Sequence, residues 1–320
     1  MPPAKSYVLF AAMSLIWGLT WIAIKIGVAA VPPLFFAGTR FHAAGVLLVL
    51  WQPLATPTGE TRPAIGRAEW PAVLVAAALV IVLAYSLLFW GTQRVASGLA
   101  AVLNLALTPV ALFAIGLGYG EERFERRRLA AIALGIAGLV ILFWPVGSRR
   151  AGGEIAGMAA ILGGTLAYCW GSVLSRPLLR RLGPQTVSAY TCLLGGLALI
   201  ALSLALEPIG PVTLAAFTAA PVMASWLFLV LFGSLVAFTI YLRLVRDWGA
   251  SRAGLYAFVS PAIAVATGVV VSGEQLRASE LVGMAIMLVA TWFALGRTAG
   301  PIRAGTVGSR PSFDNCRNSC

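Results

Sequence analysis

Two basic residues stand inside long apolar runs, Lys25 in the run 7–28 and Arg40 in the run 34–51. A charge at membrane depth is costly, and it faces protein or water rather than lipid. All eleven Asp and Glu fall in gaps between runs, at run ends or in the tail, so neither span offers an acid to pair with these cations. Two roles fit: snorkelling to the outer interface, or offering positive charge to an aqueous cavity. Lys25, eighteen residues into its run, suits both. Arg40 suits the cavity and equally a brace between span ends.

Two Ser/Thr-Pro steps carry the next chemistry, Thr108-Pro109 and Ser260-Pro261. Proline removes a backbone donor and frees the carbonyl four residues earlier, here Leu105 and Ala257. Asn104 and Tyr256 lie one turn before Thr108 and Ser260, on the same helix faces. Interrupted helices at matching places point to a transport site. The plainer role is a kink, with Ser/Thr serving the freed backbone and Asn104 joining helices.

Aromatic residues supply the third group. Trp17, Thr20 and Trp21 cluster within one turn. Tyr168 and Trp170 lie deep in a later run, and Tyr85, Ser86 and Tyr241 fall in two others. Such rings suit an aromatic or amphipathic solute by stacking, or a cation by its attraction to the ring face. They suit packing between helices equally well. His42 adjoins Arg40-Phe41 and reads as a packed side chain; the run Glu121 to Arg128 reads as a solvated turn.

The composition says what must position these residues. Of 320 residues, 60% are apolar and 11% charged, and the mean hydropathy is +0.91. Soluble domains carry about 25% charged residues, so a soluble enzyme and a disordered chain are both excluded. Ten apolar runs are read: 7–28, 34–51, 71–91, 97–118, 129–146, 155–175, 186–206, 222–245, 253–273 and 280–297. Each is near the roughly 20 residues that span a bilayer. With the N-terminus inside, the inner gaps hold 17 basic residues and the outer gaps four. That bias places both ends in the cytoplasm. Trp51, Trp70, Trp90, Trp144 and Trp248 mark the interfaces, whereas Trp226 lies deeper. The net charge of +12 follows from this arrangement and implies no nucleic-acid partner. One histidine and four scattered cysteines imply no metal, and no cofactor motif is present.

The chain repeats itself. At an offset of 152, Thr108 meets Ser260, Pro109 meets Pro261, Glu122 meets Glu274, Ala131 meets Gly283 and Gly138 meets Ala290. Five spans per half is an odd number, so the second half enters the membrane inverted. The expected architecture is an all-α integral membrane protein with ten transmembrane helices in two inverted-topology five-helix repeats. The first repeat is 1–146 and the second 147–297, with a disordered cytoplasmic tail over 298–320. Inverted repeats belong to secondary transporters, because two antiparallel halves have near-equivalent inward-open and outward-open packings.

The segment SLIWGLTWIAIKIGVAAVPPLFFAGTRFHAAGVLL carries Trp17, Gly18, Lys25, Pro32, Pro33, Arg40 and Phe41. With the repeated Ser/Thr-Pro…Glu pattern, it resembles EamA-type members of the drug/metabolite transporter superfamily over residues 7–297. The resemblance implies ten helices in two inverted halves and transport of small metabolites or drugs, often as export. The second half departs from the pattern. Ser175 or Arg176 stands near the Lys25 position, and Tyr190 near that of Arg40.

The resulting expectation is a secondary, ATP-independent exporter of small metabolites such as amino acids, with the small-molecule substrate and the lipid bilayer as its partners. Efflux of lipophilic drugs or dyes is the alternative, and a scaffold or membrane enzyme the remote one. Without a buried carboxylate, transport is expected to be uniport-like, or proton-linked through the substrate or His42. The 21 Arg against two Lys suggest a GC-rich bacterial genome, hence a bacterial cytoplasmic (inner) membrane.

Overall fold

The computed structural model describes residues 4–55, 65–92, 94, 97–122, 124–142, 152–263 and 278–295. Among these residues there are helices and turns and no strand. We number the helices α1 (Ala4–Ala30), α2 (Pro33–Ala55), α3 (Trp70–Thr92), α4 (Ser97–Gly118) and α5 (Arg126–Leu142). One helical stretch, Gly152–Leu206, is broken at Gly183, whose φ of 79° and ψ of 157° are not helical. Glycine tolerates a φ that side-chain-bearing residues avoid, and Pro184 fixes the restart. The parts are α6 (152–182) and α7 (184–206). There follow α8 (Pro211–Phe217), α9 (Ala220–Trp248), α10 (Ala250–Ala253), α11 (256–263) and α12 (Ala278–Leu295).

Helices fall on the apolar runs wherever those runs are described, and α8 and the short α10 are additions that no run marked. Four segments are long and apolar enough to cross a membrane: Pro33–Gln52, Trp70–Thr92, Ile155–Leu206 and Ala220–Trp248. Several large apolar side chains face outward, among them Val8, Leu50, Leu204 and Trp292. In water such a surface would drive aggregation; in lipid it is the ordinary exterior. The end of the run 253–273, with Glu274 and Arg277, lies outside the described residues, as do the tail and the side chains of Trp21 and Lys25.

Backbones approach closely where glycine permits. A Cβ on Gly45 of α2 would strike the Leu193 backbone of α7, and one on Gly196 of α7 would strike the His42 backbone of α2. Elsewhere α3 packs on α6, with a Cβ on Gly164 reaching 2.8 Å from the Ala84 carbonyl. On the other side α1 packs on α9 through Trp17, and on α11 through Gly18, whose Cβ would lie 3.1 Å from the Ser260 carbonyl. The helices α5 and α12 meet at Gly138 and Gly283.

Two helices contain wide, π-type turns: Ala78–Leu83 in α3 and Leu229–Ala237 in α9. Shifted by the repeat offset of 152, the first falls within the second. π-turns inside α-helices occur often at functional sites.

The start of α2 is held by a carboxylate just beyond the end of α7. Glu207 accepts hydrogen bonds from the Leu34 and Phe35 amides at 2.9 Å each, and one from the Ser203 hydroxyl at 2.6 Å. A negative charge here also meets the positive end of the helix dipole. Glu207→Gln keeps the shape but loses the charge and one acceptor. It is expected to cost about 1–2 kcal/mol, read as a lower melting temperature of the detergent-purified protein. An unchanged melting temperature would refute the capping role.

Candidate functional site

Four aromatic side chains from both ends of the sequence meet in the bundle. Trp17 of α1 lies 4.4 Å from Tyr256 of α11 and 5.3 Å from Tyr241 of α9, centre to centre. Tyr168 of α6 stacks on Tyr241 at 5.6 Å, and Tyr256 meets Tyr241 edge-on at 6.0 Å. Tyr241, at the middle, is fully buried, and its hydroxyl donates to the Ser172 hydroxyl oxygen at 2.9 Å. Trp17, Tyr168 and Tyr256 keep part of their surface open. The Trp17 indole N–H donates to the Gly233 carbonyl, 3.2 Å away in the wide turn of α9. The Thr20 hydroxyl donates to the Trp17 carbonyl at 2.7 Å, so Thr20 serves its own helix.

A second group adjoins the first. Arg40 of α2 is only 4% exposed. Its guanidinium carbon lies 4.4 Å from the centre of the Phe41 ring and 5.3 Å from that of Tyr85 on α3. Tyr85 meets Phe41 at 4.7 Å and Phe89 at 5.8 Å. It is also within electrostatic reach of Tyr168, Tyr241 and Tyr256. The hydroxyls of Ser86 and Tyr168 and the Arg40 Nε are buried without a hydrogen-bond partner.

The Ser/Thr-Pro steps make different contacts. The Asn104 amide donates to Thr165 of α6 at 2.9 Å, and the Thr108 hydroxyl donates to the Asn104 carbonyl at 2.7 Å. The Ser260 hydroxyl donates to the Ser14 carbonyl of α1 at 3.3 Å. Pro109 and Pro261 stand within α4 and α11, and both helices run on through them. Of this set, Tyr256 alone joins the aromatic cluster. Asn104, Thr108 and Ser260 use their polar atoms on helix backbones and neighbours.

Trp170 corrects the sequence reading. It is half exposed, and its indole N–H donates to the Tyr119 hydroxyl at 2.9 Å. Two residues on from Tyr168, it is turned about 200° around α6 and faces outward. The charge run from Glu121 needs correction too, for it is not simply a solvated turn. Glu122 pairs with Arg128, and both side chains are about nine-tenths buried. Glu121 pairs with Arg176 of α6, and Glu69 with Arg181 at 2.9 Å. In the sequence these pairs are marked only by opposite charges gathered at the ends of neighbouring runs. His42 packs on α7, its Nδ1 lying 3.1 Å from the Leu193 carbonyl. Among the described residues no three His, Cys, Asp or Glu gather as a metal site would require.

The comparisons with known proteins extend this picture. The model of the EamA-like transporter family matches twice, over residues 4–144 and 155–296. An Escherichia coli protein named as the uncharacterized inner membrane transporter YedA is 30% identical over 286 residues, covering 87% of each chain. A Salmonella typhimurium protein named as a probable amino-acid metabolite efflux pump is 26% identical, covering 89% of this chain and 94% of its own. A solved crystal structure, 17% identical, superposes with a TM-score of 0.76 and covers 92% of this chain and 97% of its own; at that identity it shows the fold alone. With relatives named as inner membrane transporters and four membrane-length apolar segments, the chain is a multi-pass protein of the inner membrane. It is a membrane transporter and belongs to the EamA-like transporter family.

Proposed function

We propose that the protein is a secondary exporter of small metabolites such as amino acids, working by alternating access between two inverted five-helix halves. The observation that carries this reading is the aromatic cluster: rings from α1, α6, α9 and α11 converge, and three of them stay partly open. The helices α1 and α11 come from opposite halves, as do α6 and α3, so the site stands where rocking halves would exchange access.

The pairing pattern supports the inverted repeat. Exchanging the first five runs for the last five turns α3 on α6 into α9 on α1, and α4 on α6 into α11 on α1. It leaves α2 on α7 and α5 on α12 unchanged. All of these contacts are present. Efflux of lipophilic drugs or dyes would use the same rings, but leaves the buried charge of Arg40 without a task. With no carboxylate in the middle of a described span, coupling through the substrate's own ionisable groups fits better than a carboxylate relay.

The test is an exported-metabolite profile. Cells with the native protein, Trp17→Ala or Lys25→Ala at equal membrane levels are loaded with dipeptides. Amino acids in the medium are then quantified by mass spectrometry. Native protein is expected to raise one group of amino acids, and Trp17→Ala to reduce that rise about tenfold. A medium unchanged by the native protein would overturn amino-acid export and favour drugs or dyes.

A further inference from the structure

Four charged residues among those described are buried: Arg40, Glu69, Arg128 and Arg176. Three have an opposite charge beside them: Glu69 has Arg181, Arg128 has Glu122 and Arg176 has Glu121. Arg40 has none among the described residues. Its guanidinium lies over the rings of Phe41 and Tyr85 and within hydrogen-bond reach of the Tyr85 hydroxyl, while its Nε has no hydrogen-bond partner. Aromatic faces attract a cation but accept no in-plane hydrogen bonds. A guanidinium with no acid beside it and an unbonded Nε has donors left for an oxyanion.

We propose that Arg40 binds the carboxylate of the transported molecule, and that a carboxylate is therefore required of the substrate. The proposal rests on the exporter reading above and adds to it the residue and the group that meet. Arg40 holds a planar carboxylate by two parallel hydrogen bonds, as arginine does best. One guanidinium, the other buried arginines among the described residues being paired with acids, suits a singly charged carboxylate better than a phosphate dianion. Beyond Tyr85, which is within electrostatic reach of the cluster, the partly open rings of Tyr168, Tyr256 and Trp17 offer their faces to the rest of the molecule, or to the ammonium group of an amino acid. Site residues of this kind discriminate sharply, because an analogue lacking the bonded group leaves buried donors unsatisfied.

The experiment compares four ligands that share a benzyl group: phenylalanine, phenylalaninamide, phenylacetate and phenethylamine. Each is tested on purified protein by its shift of the melting temperature, and in proteoliposomes by competition with labelled phenylalanine. The two acids are expected to stabilise the protein and compete, about tenfold or more better than the amide and the amine. Arg40→Gln is expected to abolish this preference, and Arg40→Lys to keep part of it, since charge remains but the fork is lost. A preference for acids that survives in Arg40→Gln overturns the proposal and leaves Arg40 a brace. Equal response to acid and amide, or none to either acid, overturns it as well, and the native protein alone decides this if both variants fail to fold. Phenylacetate separates the two ideas: if it binds through Arg40 while no amino acid leaves cells, the export reading fails and the carboxylate site stands.

Discussion

A Gly196→Val protein is expected to fail to accumulate in the membrane, or to melt far below the native protein. The reason is the contact between α2 and α7. A Cβ on Gly196 would fall on the His42 amide nitrogen and lie 2.7 Å from its Cα. The obstacle is backbone, so no side-chain rotation relieves it. Across the same interface Gly45 faces the Leu193 backbone, and a Cβ on Gly38 would come 2.8 Å from the Ile200 nitrogen. Overpacking in a well-packed core costs about 1–3 kcal/mol and sometimes more. With three such places along one helix pair, the upper end applies. The effect reaches the site as well, because α2 carries Arg40. Detergent melting curves and membrane abundance measure it, and Gly196→Ala should fall between native and valine. Native behaviour of the valine variant would show that the helices do not approach this closely.

The second large effect comes from a buried ion pair. Arg128→Met is expected to destabilise the protein by about 3–5 kcal/mol, because it leaves the Glu122 carboxylate buried without its partner. Arg252 stands within electrostatic reach of Glu122 and draws the loss toward the lower figure. The double variant Arg128→Met with Glu122→Gln should recover most of it, since replacing both members of a buried pair is often neutral. The melting temperatures of the two single variants and the double variant form a cycle that yields the coupling directly. A double variant as unstable as Arg128→Met would show that Arg128 matters through packing, for instance on Phe113, whose ring centre lies 5.7 Å from it.

These features were legible in the sequence to different depths. Helices in the apolar runs were plain, because about twenty apolar residues leave few other structures. The identities of Trp17, Tyr168, Tyr241 and Tyr256 as polar-tipped rings at membrane depth were also plain. Which of them meet was not. A helix apolar all round has no face that periodicity can mark, so Tyr168 and Trp170 looked alike although they point apart. The ion pair of Glu121 with Arg176 spans 55 positions, and orientation rules count charges without pairing them. Glu207, read as an acid at a run's end, gave no sign that it caps a helix 173 residues earlier. Lys25, one of the residues that resemble the family pattern, has a side chain outside those described. Of the two cations inside apolar runs, Arg40 is the one whose side chain is described, and it is buried.

The wide turns of α3 and α9 carry a record of descent. Each holds one residue more than an α-turn, and such an extra residue arises as an insertion. Two independent insertions would have no reason to land at the same place in two helices, whereas one insertion copied with its surroundings must. The family model matches this chain twice, and the turns stand at matching positions within the two matches. If one half was copied to give the other, the insertion came before the copying. A relative consisting of one half alone should then carry a single wide turn in its third helix, and alignments of such proteins are the place to look for the ancestral form.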